Sequence, residues 1–326
     1  MAQSDNPAEG HLPVVQPTQG RGLAATIRKP FRDGLKVWHL YLFLLPTFIF
    51  LIIFQYYPAI SALYHAFTKW NGAGVSEWVG LQNFEDMLKD RILLASMRNM
   101  LIIVVWTVVR SIVFPLIVAE LIYSVRSQMA QYVFRLLFII PIVVPFVVVM
   151  LVWRSILGPQ PLGVLNAVLD LLGLGHLQQP WLGDPQIALR SVLFVGFPWV
   201  GAVGLLIFYA GLINIPDALT DAIKIDGGNA LQRMWYLDLP LILGQVKVVF
   251  ILSLIGAIQE FAGILILTGG GPAFSTTVPA LHMYKTAFQG DRFGYASAIG
   301  LIMFVLILGI TYVNMRYIRS EVEYEP

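Results

Sequence analysis

The chain has 326 residues, of which 57% are hydrophobic and only 12% charged, and its mean hydropathy is +0.74. A soluble domain carries about 25% charged residues, so this composition excludes an ordinary soluble protein and indicates one domain embedded in a lipid bilayer. The net charge of +2 leaves no basic field for nucleic acid. Without cysteine, the chain has no disulfide bonds, thiolate metal sites or cysteine catalysis.

The N-terminal segment differs in composition from the rest of the chain. Residues 1–36 are rich in Pro, Gly, Gln and Ala and poor in large apolar side chains, so we expect a disordered tail. The following run, 40–66, contains no Lys, Arg, Asp or Glu and is too long for the core of a signal peptide. We therefore expect this run to remain as an uncleaved span.

Six segments are long and apolar enough to cross a membrane, which takes about 20 residues. They are 38–57, 99–123, 132–157, 186–213, 241–267 and 295–317. We therefore predict an all-α membrane domain, 37–318, with six transmembrane helices and a short C-terminal tail, 319–326. Prolines inside the spans, such as Pro46, Pro115 and Pro198, are tolerable because neighbouring helices can satisfy the freed backbone groups.

The distribution of Lys and Arg predicts the orientation of these spans. An even number of spans puts both termini on one side of the membrane. If that side is the cytoplasm, the cytoplasmic segments carry more Lys and Arg than the outer loops 67–98, 158–185 and 268–294. The positive-inside rule therefore predicts that both termini are cytoplasmic.

The loop between the fourth and fifth spans, residues 214–240, is too polar to cross a membrane. Asp217 favours the first turn of a helix, and Gly227 can adopt the left-handed conformation that ends one. Asn229 can cap a second helix. We expect that helix to stop near Pro240, because the residue before a proline disfavours helical backbone.

The first helix of the 214–240 loop has one apolar face. Leu219, Ala222 and Ile223 recur at helical spacing. Two short helices joined at a glycine form a rigid unit, and an apolar face on such a unit is suited to docking into a cleft of another protein.

The 214–240 loop resembles the EAA motif of the permease subunits of binding-protein-dependent ABC importers, which reads Glu-Ala-Ala, three residues, Gly, nine residues, Ile-x-Leu-Pro. The matching residues are Asp221-Ala222-Ile223, Gly227 and Leu237-Asp238-Leu239-Pro240. Asp replaces Glu, Ile replaces the second Ala, and Leu replaces Ile. The resemblance implies a contact with an ATPase subunit. The residues that it assigns to coupling are Leu219, Asp221, Ala222, Ile223, Gly227, Leu239 and Pro240.

Other segments resemble the sugar-permease branch of that family, the maltose and glycerol-phosphate type. They include Tyr56-Tyr57-Pro58, Val79-Gly80-Leu81-Gln82-Asn83-Phe84 and Leu267-Thr268-Gly269-Gly270-Gly271-Pro272. The resemblance covers about 38–317 and implies a type I importer fold in the bacterial cytoplasmic membrane. It further implies a second permease subunit, two ATP-binding subunits, an extracytoplasmic solute-binding protein and a sugar or polyol cargo. ATP and Mg²⁺ would bind in the partner ATPase, with no cofactor on this chain.

Three polar residues at membrane depth are candidates for contact with substrate. Arg110 lies in the middle of the second span, where an Arg costs about 2.5–3.5 kcal/mol, so it must face protein or a wet cavity. Gln259 and Glu260 lie where maltose-type permeases, by resemblance, carry amides that contact sugar. The alternative is an ion pair between Arg110 and Glu260 that touches no substrate.

Two aromatic residues and one histidine have two readings each. Trp153 and Trp199 can stack on a sugar ring, but aromatic residues in spans also serve in packing. His282 lies in an outer loop, where we expect a solvated residue rather than a ligand.

The alternative function from the residues alone is an ion-coupled secondary transporter with Arg110, Glu120 and Glu260 as coupling groups. Glycerol phosphate is a further possible cargo, since Arg110 can meet a phosphate. The sequence contains no zinc signature, nucleophile elbow or dinucleotide fingerprint, so we expect a transport subunit and not an enzyme.

Overall fold

The computed structural model of the protein describes residues 38–159 and 163–317. The two expected tails, 1–36 and 319–326, lie outside these residues. The chain forms two compact units, one extending to Ala59 and the other beginning at Ile60. Both are helical, apart from one short hairpin in the second.

The elements follow one another along the described chain as short and long helices. The first are α1 (Trp38–Leu51), α2 (Tyr57–His65), α3 (Gln82–Lys89), α4 (Arg91–Ser124), α5 (Gln128–Ile139), α6 (Phe146–Ile156), α7 (Val164–Leu171) and α8 (Ala188–Phe194). The others are α9 (Ala202–Ile213), α10 (Asp217–Ile225), α11 (Ala230–Arg233), α12 (Leu239–Leu241), α13 (Leu243–Ile258), α14 (Ala262–Leu267), α15 (Pro279–Phe288) and α16 (Phe293–Tyr317). Strands β1 (Thr68–Lys69) and β2 (Glu77–Trp78) pair antiparallel. Two 3₁₀ turns cover Ile140–Val143 and Gly175–Leu177, and two π turns cover Ile52–Tyr56 and Met234–Asp238.

Three helices of the described chain are long and apolar enough to cross a membrane, and three bent pairs raise that number to as many as six. The single helices are Tyr41–His65, Arg91–Ser124 and Phe293–Arg316. The bent pairs are Gln128–Val143 with Phe146–Ile156, Ala202–Ile213 with Asp217–Ile225, and Ala230–Leu241 with Leu243–Ile258. An all-helical fold with up to six spans agrees with the prediction from sequence.

Three of the predicted spans are not continuous helices, which corrects the sequence reading. The span 132–157 bends by 90° between Val143 and Phe146, where Pro141 and Pro145 interrupt the backbone hydrogen bonds. The span 186–213 is interrupted at 195–201, and the span 241–267 is interrupted at 259–261. The prediction that a span can contain proline is confirmed at Pro46 and Pro115, which lie inside the helices α1 and α4.

Helix α4 is the central element of the second unit, because it packs along both α9 and α13. Its C-terminal half contributes Ala119 and Ile122 to a buried cluster with Leu205, Phe208 and Ile242. Its N-terminal half belongs to a second buried cluster that includes residues of α13 and α16. Because close-packed helices transmit displacement, a movement of α4 must also displace the helices packed against it.

The N-terminal end of α4 is fixed by a group that we call the Asp90 cluster: Asp90, His282 and Tyr295. Asp90 Oδ1 accepts from the amides of Ile92 and Leu93 at 2.9 and 3.0 Å, as an N-cap does. Asp90 Oδ2 lies 2.8 Å from His282 Nε2 and accepts from the Tyr295 hydroxyl at 2.8 Å. His282 is 14% exposed, so the expectation that it is solvated was wrong.

The pKa of Asp90 follows from these contacts. Burial alone would raise it, but hydrogen bonds from the Leu93 amide, His282 and Tyr295 outweigh burial and leave the pKa below its ordinary value of 3.8. Asp90 therefore remains a carboxylate at neutral pH and ties α4 to both α15 and α16.

Candidate functional site

A cavity of about 280 Å³ lies among α4, α6, α8, α13 and α14, and we call it the central cavity. Most of its wall is apolar, and its charged side chains are those of Arg110 and Glu260. Hydroxyl groups come from Thr107 and Ser253. The cavity thus combines hydrocarbon walls with a few polar groups, which is typical of a site for a small solute.

Helix α4 contributes the positive charge of the central cavity and supports the break at 195–201. The indole Nε1 of Trp106 donates to the carbonyl of Leu193 at 2.8 Å, and Nη1 of Arg110 donates to the carbonyl of Val195 at 3.0 Å. These carbonyls lie at the C-terminal end of α8, where a helix leaves its last acceptors without intrahelical partners. The interruption is therefore stabilised by side chains from α4.

The negative charge of the central cavity lies at the break between α13 and α14. Glu260 Oε1 accepts from the amide of Gly263 at 2.7 Å, in the first turn of α14. Arg110 and Glu260 form no ion pair within 4.0 Å in the described part of the chain. The two charges thus face the same cavity without a direct ion pair, and each is held at a different helix break.

The other three predicted substrate residues do not line the central cavity. Gln259 is exposed, while Trp153 lies edge-on to Phe194 at 6.0 Å. Trp199 has a φ of +58° and packs edge-on against Trp106 at 5.3 Å and Phe197 at 5.0 Å. The structure thus gives both tryptophans packing contacts, which was the alternative reading.

Besides Arg110 and Glu260, the lining includes residues that the sequence did not assign to the site. Ser253, Gly256 and Glu260 all line the central cavity and recur at the spacing of one helical face. Thr107 lies one helical turn before Arg110 on α4 and also lines the central cavity. Ser253 also lines a second cavity of about 300 Å³, which lies further along α4 and α13. Helical spacing counted from Arg110 and from Glu260 would have identified these positions.

The 214–240 loop exposes a large apolar surface. On α10, Leu219 is 39% exposed and Ile225 is 85% exposed. Beyond the glycine turn, Leu231, Trp235 and Tyr236 are 67%, 60% and 78% exposed. Exposed apolar side chains crowded into a short polar loop are typical of a contact surface for another protein.

The turn within this loop follows the sequence prediction closely. Gly227 has a φ of +76°, and Asn229 caps α11 in a reciprocal capping box with Gln232. At Gly228 glycine is required for lack of space, since a Cβ there would lie 2.9 Å from the carbonyl oxygen of Ile223. The side chain of Ile223 also lies against this turn, since its Cγ1 would be 2.8 Å from the same Cβ.

Two further features of the loop were not specified by the sequence. The second helix ends at Leu241, next to Pro240 as predicted, and a π turn at Met234–Asp238 forms part of it. Pro240 lies in the first turn of α12, where the amide that proline lacks needs no intrahelical partner. Asp221 forms an exposed ion pair with Lys224 at 3.0 Å within α10.

The loop is joined to the C-terminal end of α4 by a group that we call the Arg233 cluster: Glu120, Arg233 and Asp238. Arg233 Nε donates to Asp238 Oδ2 at 2.8 Å, and its Nη2 lies 3.5 Å from Glu120 Oε2. The guanidinium also lies 5.0 Å from the ring centre of Tyr123 and 3.5 Å from Ser124 Oγ. Sequence reasoning missed this cluster, because Arg233 and Asp238 are five residues apart and meet only across the π turn.

Comparison with known proteins decides the class of this chain. Residues 111–323 match the family described as binding-protein-dependent transport system inner membrane component. The chain belongs to this family. It is 30% identical to the probable ABC transporter permease protein YurN of Bacillus subtilis, over 87% of this chain and 97% of YurN. It is 31% identical to the multiple sugar-binding transport system permease protein MsmF of Streptococcus mutans, over 86% of this chain and 94% of MsmF.

A solved structure has the same fold. It is a bacterial alginate ABC transporter in complex with an alginate pentasaccharide-bound periplasmic protein. The TM-score is 0.76 at 22% identity, with 87% of this chain and 95% of that chain covered. Together with the family match and the permease relatives, this makes the protein an ABC importer permease, an inner-membrane transport component and not an enzyme.

Proposed function

We propose that this permease forms half of the translocation pathway for a carbohydrate or polyol and is coupled to its ATPase subunits through the 214–240 loop. The observation that carries the proposal is the exposed apolar surface of that loop, next to a glycine turn with the EAA-like spacing. A transport subunit that does not hydrolyse ATP needs such a contact to receive the motion of the ATPase.

The composition of the central cavity supports a sugar or polyol as cargo. A sugar ring has an apolar face and an edge of hydroxyl groups, and the cavity offers apolar walls beside Arg110, Glu260, Thr107 and Ser253. Arg has five donors and a carboxylate only acceptors, so the two charges together can bind both sides of a hydroxyl group. The cargoes named for MsmF and for the alginate transporter are also carbohydrates.

The partners of this permease are proposed from the same resemblance. They are a second permease subunit that completes the pathway, two ATP-binding subunits that hold ATP and Mg²⁺, and an extracytoplasmic solute-binding protein. The membrane is the bacterial cytoplasmic membrane, and both termini and the 214–240 loop face the cytoplasm. Labelling of a single cysteine at Asn229 by an impermeant reagent in intact cells would contradict this orientation.

An ion-coupled secondary transporter is the competing function. It would transport without an ATPase, and it leaves the exposed apolar surface of the 214–240 loop without a role. Membership of a family of ABC transporter permeases argues against it.

Two variants of the loop test the coupling role. Gly227→Val places a β-branched residue at a φ of +76°, and Asp221→Lys reverses a charge on the exposed helix. Both should abolish uptake and reduce the amount of ATPase that co-purifies with the permease. Asp170→Lys is the matched control, because it reverses an exposed acid on α7. Wild-type uptake and ATPase retention in both loop variants would refute the coupling role.

A second pair of variants tests the cavity. Glu260→Gln keeps an oxygen acceptor for the Gly263 amide but removes the charge, so the α14 turn should survive. Losing a hydrogen bond to a charged group should reduce uptake by about tenfold, with assembly unchanged. Gln259→Ala, next to it but outside the lining, is the control. An equal loss in both variants, or none in Glu260→Gln, would contradict the assignment of this cavity to the cargo.

A further inference from the structure

The Arg233 cluster joins two regions with different proposed roles. Arg233 and Asp238 belong to the 214–240 loop, whereas Glu120 lies in the last turns of α4. Helix α4 also carries Arg110 and Trp106, which line the central cavity. Arg110 and Glu120 are ten residues apart, or roughly 15 Å along the helix axis. One continuous helix therefore connects this cluster to the cavity.

The contacts of Arg233 are divided between the two regions. Within the loop, the π turn brings Asp238 to 2.8 Å from Arg233 Nε, which fixes the guanidinium relative to the loop backbone. On α4, the same guanidinium meets Glu120, Tyr123 and Ser124, which share one helical face. The side chain of Arg233 is only 16% exposed, so it is enclosed between the two elements.

The charges of the cluster are not fully matched. Two carboxyl groups share one guanidinium, and those of Glu120 and Asp238 are also within hydrogen-bonding reach of each other. The 3.5 Å approach to Glu120 is also looser than the 2.8 Å contact to Asp238. A contact of 3.5 Å is at the limit of a hydrogen bond, so it is broken at lower cost than the 2.8 Å contact. The link to α4 is thus the contact that can change when the loop moves.

We propose that Arg233 is a positioning residue that transmits the movement of the 214–240 loop to α4, and through α4 to the central cavity, by its contact with Glu120. This proposal rests on the proposed coupling role of the loop. It assigns Glu120 to mechanical coupling within an ATP-driven importer, with no ion carried by that carboxylate.

The first test uses Glu120→Gln in the assembled transporter. The substitution keeps the size of the side chain but removes the charge that faces Arg233. Uptake per ATP hydrolysed should fall about threefold to tenfold, with normal amounts of permease and ATPase in the complex. Asp170→Asn, which neutralises an exposed acid on α7 outside the cluster, is the control and should keep the wild-type ratio. A wild-type ratio in Glu120→Gln would overturn the proposal.

The second test replaces the contact with a covalent link. The chain has no cysteine, so Glu120→Cys with Arg233→Cys can be joined by a bifunctional thiol reagent of about the length of an arginine side chain, with partner subunits free of accessible cysteine. The double variant should lose coupling, and cross-linking should restore it. Neither single variant should respond to the reagent. A cross-linked protein that remains uncoupled would overturn the proposal.

The two proposals fail in different ways. If the loop is not the coupling element, Asp221→Lys and Gly227→Val will keep both the ATPase and uptake. If the loop couples but Arg233 does not transmit its movement, those variants will lose both while Glu120→Gln keeps the wild-type ratio of uptake to hydrolysis.

Discussion

The two ends of α4 are held by acidic clusters of different design. At the N-terminal end, the Asp90 carboxylate accepts from two backbone amides and contacts His282 and Tyr295, so both of its oxygens are used. At the C-terminal end, two carboxyl groups share the guanidinium of Arg233, and its contact with Glu120 on α4 is 3.5 Å long. One end of the helix is thus held by short hydrogen bonds and the other by a longer contact.

This difference has a mechanical consequence for a helix that lines a transport cavity. A network of short hydrogen bonds rigidifies the elements that it joins, whereas a contact near the distance limit is broken at lower cost. We therefore expect α4 to be anchored at the Asp90 cluster and to respond to the 214–240 loop at the Arg233 cluster.

The largest expected effect comes from removing the only cation of the Arg233 cluster. Arg233→Met leaves two carboxylates facing each other with side chains 9% and 0% exposed. Uncompensated buried charge should lower the free energy of unfolding by about 3–5 kcal/mol. Thermal unfolding of the purified complex measures this. Lys224→Met, which breaks an exposed pair in the same loop, should stay within about 0.5 kcal/mol, and equal losses in the two variants would contradict the account.

A smaller loss is expected at the other end of α4. Asp90→Ala removes an N-cap, worth about 1 kcal/mol, and the contacts with His282 and Tyr295, for a total of about 2–3 kcal/mol. The same unfolding measurement applies, with Asp86→Ala as control, since Asp86 is 43% exposed and reaches Arg292 only at 3.7 Å. An Asp90 variant as stable as the control would mean that the N-terminal end is not an anchor.

The contribution of Asp90 should also depend on pH. Its pKa in the folded protein lies below the ordinary value of 3.8, so its stabilisation is complete above about pH 4 and is lost as the pH falls through the folded pKa. The difference in unfolding temperature between wild type and Asp90→Asn should therefore shrink below about pH 4. A difference that stays constant down to about pH 2 would contradict the hydrogen-bonded carboxylate.

The smallest effects concern the turn of the 214–240 loop. Gly227→Ala forces an alanine to a φ of +76°, and Gly228→Ala places a Cβ 2.9 Å from the Ile223 carbonyl. Each should cost about 1–2 kcal/mol in thermal unfolding. Gly256→Ala is the control, since its Cβ would meet no atom within 4 Å, and it should be neutral or slightly stabilising in the α13 helix. If Gly227→Ala leaves the stability unchanged, the positive φ at this position is not required by the turn.

The features predictable from sequence are those determined by local chemistry. Long apolar runs predicted the helical membrane fold, and the residue types of the 214–240 loop predicted the positive φ of Gly227 and the cap at Asn229. The position of Arg110 in the middle of an apolar span predicted that it faces a cavity or protein, and it lines the central cavity. Each of these follows from the preferences of a residue and its near neighbours.

The features that could not be predicted depend on contacts between distant segments. Proline is compatible with a continuous helix at Pro115 and accompanies an interruption at Pro198. At the second site, the carbonyls freed by the interruption are satisfied by Trp106 and Arg110, from another part of the chain. The Arg233 cluster likewise needs a π turn to bring Asp238 into reach, and helical spacing alone does not indicate that.

The measurement that tests the central claim most directly is cross-linking from the 214–240 loop to the ATPase. Because the native chain has no cysteine, one cysteine can be placed at Ala222, which is exposed on α10, and another, in a separate variant, at Val75, which is 99% exposed outside the loop. In the assembled transporter, a short thiol-directed cross-linker with a photoreactive second group should join Ala222→Cys to an ATP-binding subunit and leave Val75→Cys unlinked to it. Absence of that product from Ala222→Cys, in a complex that retains its ATPase and transports, would contradict coupling through this loop.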